Sequence, residues 1–276
     1  MAYSNFKATV WSKHIELELA KMMVFRDIVN TKHSGEVGLG KSVKIVGLSN
    51  PKIRDYVPGT QIEAPETPSD KSSTLNIDQY KYFNVVVDDV DQAQAETDIM
   101  KGLLEGGANG LAMAADSYIA SLVKSAKPAN MIASTEVSTP AKAKELIDKA
   151  FEKLWDEGVN TTGGNVFICV PSWFYMLFKS SLTETLTDNV EMVQKGVIGM
   201  YNGAYVKLSN NLFNDGTDDH LAVMTRDSIA FADGIEKTEA YRPDGSFADA
   251  VKSLYTYGAV VARPEQIVCI KAHKAK

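Results

Sequence analysis

Two periodicities alternate along this chain. Ile99, Leu103, Leu104, Ala108, Leu111, Ala115, Tyr118, Ile119 and Leu122 recur at three- and four-residue steps, the repeat of an amphipathic helix. Asp88, Asp89 and Asp91 suit the N-terminus of that helix, which runs to Lys124. Some 34 residues at about 1.5 Å each give a rod of roughly 50 Å. Thr139-Pro140 opens a second helix ending near Glu157, with Ala143, Ile147, Ala150, Leu154 and Trp155 on its buried side and Gly158 after it. Residues 171–178 form a third helix. Residues 8–30 read as helical or mixed, with 24–30 as an alternative short strand, and 182–196 as helix or loop.

Strand patterns fill the intervals. Residues 166–170 read as a buried strand, and 203–210, 221–225, 250–261 and 266–271 as further strands. Residues 126–138 have linker composition and 228–233 form a short apolar turn. Helices and strands mix without a regular β-α-β-α beat and without an internal repeat, so the class is α+β.

Residues 43–87 read as one long β-hairpin. Val43 to Val46 alternate, residues 75–87 return as an aromatic strand, and Pro58-Gly59, Pro65 and Pro68 place turn or extended chemistry between them. A lone two-stranded hairpin orders backbone without burying enough apolar surface to be stable in water. The segment is therefore expected to lie against another subunit.

The chain has 276 residues, 45% hydrophobic and 23% charged, ordinary values for a globular protein with a sizeable core. No run reaches the roughly 18 apolar residues that span a bilayer, and the N-terminus lacks a signal peptide's apolar region. Cys169 and Cys269, in apolar strand patterns, read as buried free thiols. The net charge of −6 argues against a tight, sequence-neutral grip on nucleic acid. Residues 1–60 hold nine Lys/Arg against five Asp/Glu, whereas 61–137 hold five against twelve. Two readings stand: ordinary solvated faces, or a basic arm lying on an acidic neighbour.

Gly102, Gly106 and Gly110 recur every four residues on the long helix, with Gly107 beside them. Interior glycine costs about 1 kcal/mol relative to alanine. Either the stripe lets another backbone approach, or the helix bends between two states.

Gly35-Glu36-Val37-Gly38-Leu39-Gly40-Lys41-Ser42 matches the phosphate-loop pattern. That loop must leave a buried strand and enter a helix. Here polar residues precede it and a strand pattern follows, so a nucleotide hydrolase is set aside and the glycines read as a turn. His14, His33, His220 and His273 are scattered in polar sequence without metal-ligand spacing. Asp215, Asp218 and Asp219 around Gly216 read as an acidic surface turn. No catalytic residue, cofactor or metal site is expected.

The order of arm, hairpin, long helix and α+β body resembles the major capsid proteins of tailed phages, the Hong Kong ninety-seven fold. Phe25-Arg26-Asp27-Ile28-Val29-Asn30 with Gly35-Glu36 is similar to the family's arm. Residues 55–59 through Gln79-Tyr80-Lys81-Tyr82-Phe83 resemble its extended loop, and Val87-Asp88-Asp89-Val90-Asp91-Gln92-Ala93-Gln94-Ala95 the start of its spine helix. Residues 198–211 resemble its axial domain and 257–265 its closing strands.

The resemblance implies an arm at 1–42, an extended loop at 43–87 and a peripheral domain with the spine helix at 88–137. An axial domain at 138–232 and returning strands at 233–276 complete it. It implies a non-enzymatic shell protein assembling as hexamers and pentamers around double-stranded DNA that it holds non-specifically. Further implied partners are scaffolding, portal and decoration proteins, with no membrane. The place is the virion capsid, after synthesis and assembly in the host cytoplasm. Arg26, Lys41, Arg54, Tyr56, Lys71, Tyr80 and Tyr82 are the expected inter-subunit contacts, and Gly102, Gly106, Gly107 and Gly110 the flexible positions. Some relatives crosslink a lysine to an asparagine; Lys71 is the donor by position, but no partner is identifiable here. The alternative on the same fold is a cellular nanocompartment shell.

Overall fold

The computed structural model describes residues 15, 23–32, 34, 42–48, 53, 55–56, 58–59, 61, 70–89, 99–161, 163–183, 199–245 and 247–275. Their strands form three sheets. Strand β1 (Ser42–Leu48) pairs antiparallel with β2 (Asp70–Asn76). Strands β3 (Gln79–Asp88), β9 (Ile229–Tyr241) and β10 (Ala248–Val261) form a sheet in the order β3-β10-β9. The third sheet has the order β4-β11-β8-β5-β7-β6. Its members are β4 (Met131–Val137), β5 (Val166–Val170), β6 (Met200–Tyr201), β7 (Ala204–Leu208), β8 (Asp219–Thr225) and β11 (Ile267–Lys274). Helices α1 (Ile99–Leu122), α2 (Pro140–Asp156) and α3 (Ser172–Thr183) complete the α+β fold.

The six-stranded sheet is buried on both faces, which explains the unbroken apolar run of β5. Val166, Ile168 and Val170 face a core shared with α2 and α3, where Ile147, Phe151, Phe174 and Phe178 are buried. Phe167 and Cys169 face a second core built on α1 and the inner face of the three-stranded sheet. Both cysteines are free and buried, and burial pushes the Cys269 thiol up to about 11.

Helix α2 starts where its sequence indicates: Thr139 Oγ1 accepts from the Lys142 N–H at 3.4 Å, and Pro140 opens the first turn. Gly158, at φ 77°, ends it. Trp155, expected on the buried side, is 51% exposed, because Phe151 and Leu154 already fill the last turn; its indole donates to Thr161 instead.

Several expectations are corrected. The linker at 126–138 contains β4, parallel to β11, whose Ser and Thr residues hid a strand. The apolar turn at 228–233 is the start of the thirteen-residue β9. Residues 24–30 are a 3₁₀ turn, Arg26–Ile28, ending in a bridge from Asn30 to Ala230. The described spine helix is 24 residues long, about 36 Å; residues 90–98 lie outside the described residues.

The single hairpin divides. Only β2 returns along β1, and β3 leaves to pair with β10 from Gln79↔Tyr257 to Asp88↔Ala248. Phe83, Val85 and Val87 pack onto the α1 core from there. The ladder's root also has apolar cover, since Val43, Leu75 and Ile77 pack on Ala230 and Ala232. Gly258 of β10 is required at this crossing, because a Cβ there would sit 2.1 Å from the Asn76 carbonyl oxygen.

Candidate assembly surfaces

The arm is stitched to the body by two carboxylates. Asp116, a lone acid among the apolar positions of α1, is fully buried and accepts the Val24 N–H at 2.9 Å and the Phe25 N–H at 3.2 Å. Burial outweighs these donors and raises its pKa to about 6. Asp233 of β9 accepts from Arg26 Nη2 at 3.3 Å and from the Tyr255 hydroxyl at 2.8 Å. Burial, then the Asp233 charge, pushes the Tyr255 hydroxyl far above its ordinary value. Met23, Phe25 and Ile28 are buried alongside.

The expected contact residues separate in space. Arg26 serves this intrachain clamp. Tyr82 stands 75% exposed on β3, and Tyr80 is half exposed with its hydroxyl on the Ile77 carbonyl. Both lie, with exposed Val86, on the face of β3 opposite Phe83. Tyr56, in the segment joining β1 to β2, is 66% exposed, and Ile53 near it 92%. Lys71 lies on β2. Lys41 and Arg54 lie outside the described residues, as does the glycine motif at 35–41; the residues after it enter strand β1 rather than a helix.

The glycines of α1 divide too. Gly102, Gly106 and Gly110 have open space where a Cβ would be, on the helix side that also exposes Met113. A Cβ on Gly107 would touch the Phe83 ring at 3.0 Å, so this residue seats β3 against the helix.

The acidic loop is not a free surface turn. Asp218 is buried, accepts from Ser134 Oγ at 2.9 Å and lies 2.7 Å from His273 Nδ1. Asp219 accepts from Trp173 and Asn214, both at 2.7 Å. The backbone N–H groups of Asp218 and Thr217, then His220 at 3.2 Å, hold the Asp215 pKa down at about 2. His220, expected in polar surroundings, is buried against the Phe213 ring, 3.6 Å from Cys269 Sγ. The loop thus ties β4, β8, β11 and α3 together.

Sequence patterns missed the arm clamps because Asp116 and Asp233 lie 91 to 207 residues from their arm partners. One signal was present for Asp116: a single carboxylate between Leu111, Ala112, Ala115 and Ile119 on an apolar helix face. Among the described residues no helix is long and apolar enough to cross a membrane.

The profile of the family described as phage capsid protein matches residues 71–270. Among solved structures, that of Mycobacterium phage Che8 superposes with a TM-score of 0.75 at 27% identity, over 90% of each chain. The capsid structure of the Cyanophage P-SCSP1u follows at 0.69 and 16% identity, over 92% of this chain and 89% of that one. A virus-like particle from Pyrococcus furiosus superposes at 0.60 and 12% identity, over 98% of this chain and 100% of that one. No curated protein sequence matches. Arm, ladder, long helix and two-cored body are arranged as in the Hong Kong ninety-seven fold. The chain belongs to the phage capsid protein family, and its role is structural.

Proposed function

We propose that copies of this chain close as hexamers and pentamers into an icosahedral shell around double-stranded DNA, which the shell holds non-specifically. The observation that carries this reading is the β1–β2 ladder. Its root is packed on β9, yet Ile53 and Tyr56 between its strands stand almost bare. Exposed apolar groups on an extended segment are satisfied by burial against another surface. Symmetric repetition of one chain supplies such a surface at every copy. Scaffolding, portal and decoration proteins are the further partners of such a shell, and the host cytoplasm its place of assembly.

Size-exclusion mass and negative-stain images of the purified chain test this. Closed particles or capsomer-sized rings are expected. A chain with residues 49–69 replaced by a short turn should keep the body fold by circular dichroism and stay monomeric. A parent chain that is monomeric under every assembly condition would contradict the proposal. A cellular nanocompartment shell is the second reading, favoured by the near-complete overlap with the Pyrococcus particle's chain. Particles purified from the native source containing an enzyme and no DNA would select it.

A further inference from the structure

Between the arm and the body lies a cavity of about 960 Å³ whose wall is cationic in a chain of net charge −6. Arg26 and Asp27 line it from the arm, Lys207 from β7, and Arg226 from the turn after β8. The Arg26 charge is shared with Asp233. Arg226 donates to the Asp27 carbonyl at 2.8 Å and lies 5.5 Å from the Phe167 ring centre, over a ring stacked on Tyr205. Among the described residues neither Lys207 nor Arg226 has a carboxylate partner. Two cations therefore face an open cavity with an aromatic wall and, in Asp27, one carboxylate on its rim.

We infer that this cavity receives the acidic stretch at residues 63–70 of a second copy, an inference that rests on the shell reading above. Glu63, Glu66 and Asp70 fall there with no lysine or arginine among residues 61–70. Pro65 and Pro68 restrict the backbone of this stretch, which lowers the entropy lost on docking. The stretch is assigned to a neighbour on the shell reading, in which the ladder lies against another copy. The ladder runs from Ser42↔Asn76 at its root to Leu48↔Asp70, about 20 Å at roughly 3.3 Å per residue. The root packs on Ala230, the bridge partner of Asn30, between cavity residues Val29 and Thr31. At that length the ladder's distal end, at Leu48 and Asp70, stands well beyond its root. Opposite charges at such a contact give orientation and speed of encounter.

The test has two arms. A fluorescent peptide of residues 61–72 is titrated with the unassembled full chain. Binding should weaken at least tenfold with Lys207→Glu, and as much when Glu63 and Glu66 of the peptide are changed to glutamine. Equal affinity for parent and Lys207→Glu would overturn the contact. In assembly, Lys207→Glu with Arg226→Glu, and separately Glu63→Lys with Glu66→Lys, should each cut particle yield at least tenfold. One chain carrying all four changes should recover it. Parental yield from both single-site reversals would overturn the contact while leaving the shell intact. Normal particles with less packaged DNA would overturn it in favour of a phosphate contact. A parent that binds the peptide but never assembles would refute the shell and keep the contact.

Discussion

Asp116 is the residue whose environment most opposes its usual state. Two arm N–H groups and the Asn211 side chain favour its ionised form in an apolar core, and burial still wins. Its pKa in the folded chain, about 6, exceeds the ordinary 3.8. The stability linked to this group is therefore complete below about 4 and is lost as the pH rises through about 6. A shift of that size corresponds to about 3 kcal/mol. Asp215 and Glu239, both held at about 2 by their donors, titrate in the opposite sense and at lower pH. Asp116→Asn isolates the effect. Urea unfolding of parent and variant at pH 4, 5, 6 and 7 should show the variant gaining relative to the parent as pH rises. Parallel pH profiles would contradict the assignment.

At the scale of elements, the exposed glycines of α1 and the packed one make different predictions. Gly102→Ala, Gly106→Ala and Gly110→Ala meet open space, so each should stabilise the unassembled chain by about 0.5–1 kcal/mol. Gly107→Ala must displace the Phe83 ring and should gain nothing or lose stability. Thermal midpoints of the four single variants, measured below the assembly concentration, check this; equal gains would contradict the seating of β3. The elements themselves were legible wherever one period ran unopposed. Helix α2 has its cap, its apolar face and Gly158, and β5 is a short apolar run. Legibility failed where partners are distant. Nothing local in residues 75–87 says that Asn76 ends one ladder and Gln79 begins another; the crossing is set by Gly258, far along the chain. Strand β4 failed because its exposed Ala133, Ser134 and Glu136 carry no apolar alternation, and its pairing is to the last strand of the chain. The partners of Asp116 and Asp233 were hidden for the same reason, although Asp116 itself was marked as a lone acid on an apolar helix face, whereas the exposed tyrosines of β3 stood out as aromatic positions in a strand.

For the whole molecule, two cores share one sheet, and the arm is locked to both α1 and β9. Most of the described residues are therefore packed within one subunit. The distal part of the β1–β2 ladder is the exception: among the described side chains, its apolar cover consists of Val43, Leu75 and Ile77 at the root, with Ile45 half buried beside them. Two-stranded ladders without further cover open readily in water. Amide hydrogen exchange followed across β1 and β2, first in dilute unassembled chain and then in assembled particles, measures this most directly. The account predicts that amides near the Ser42–Asn76 root are protected in both states, while those near Leu48 and Asp70 gain protection only on assembly. Full protection of the distal amides at dilute concentration would contradict it.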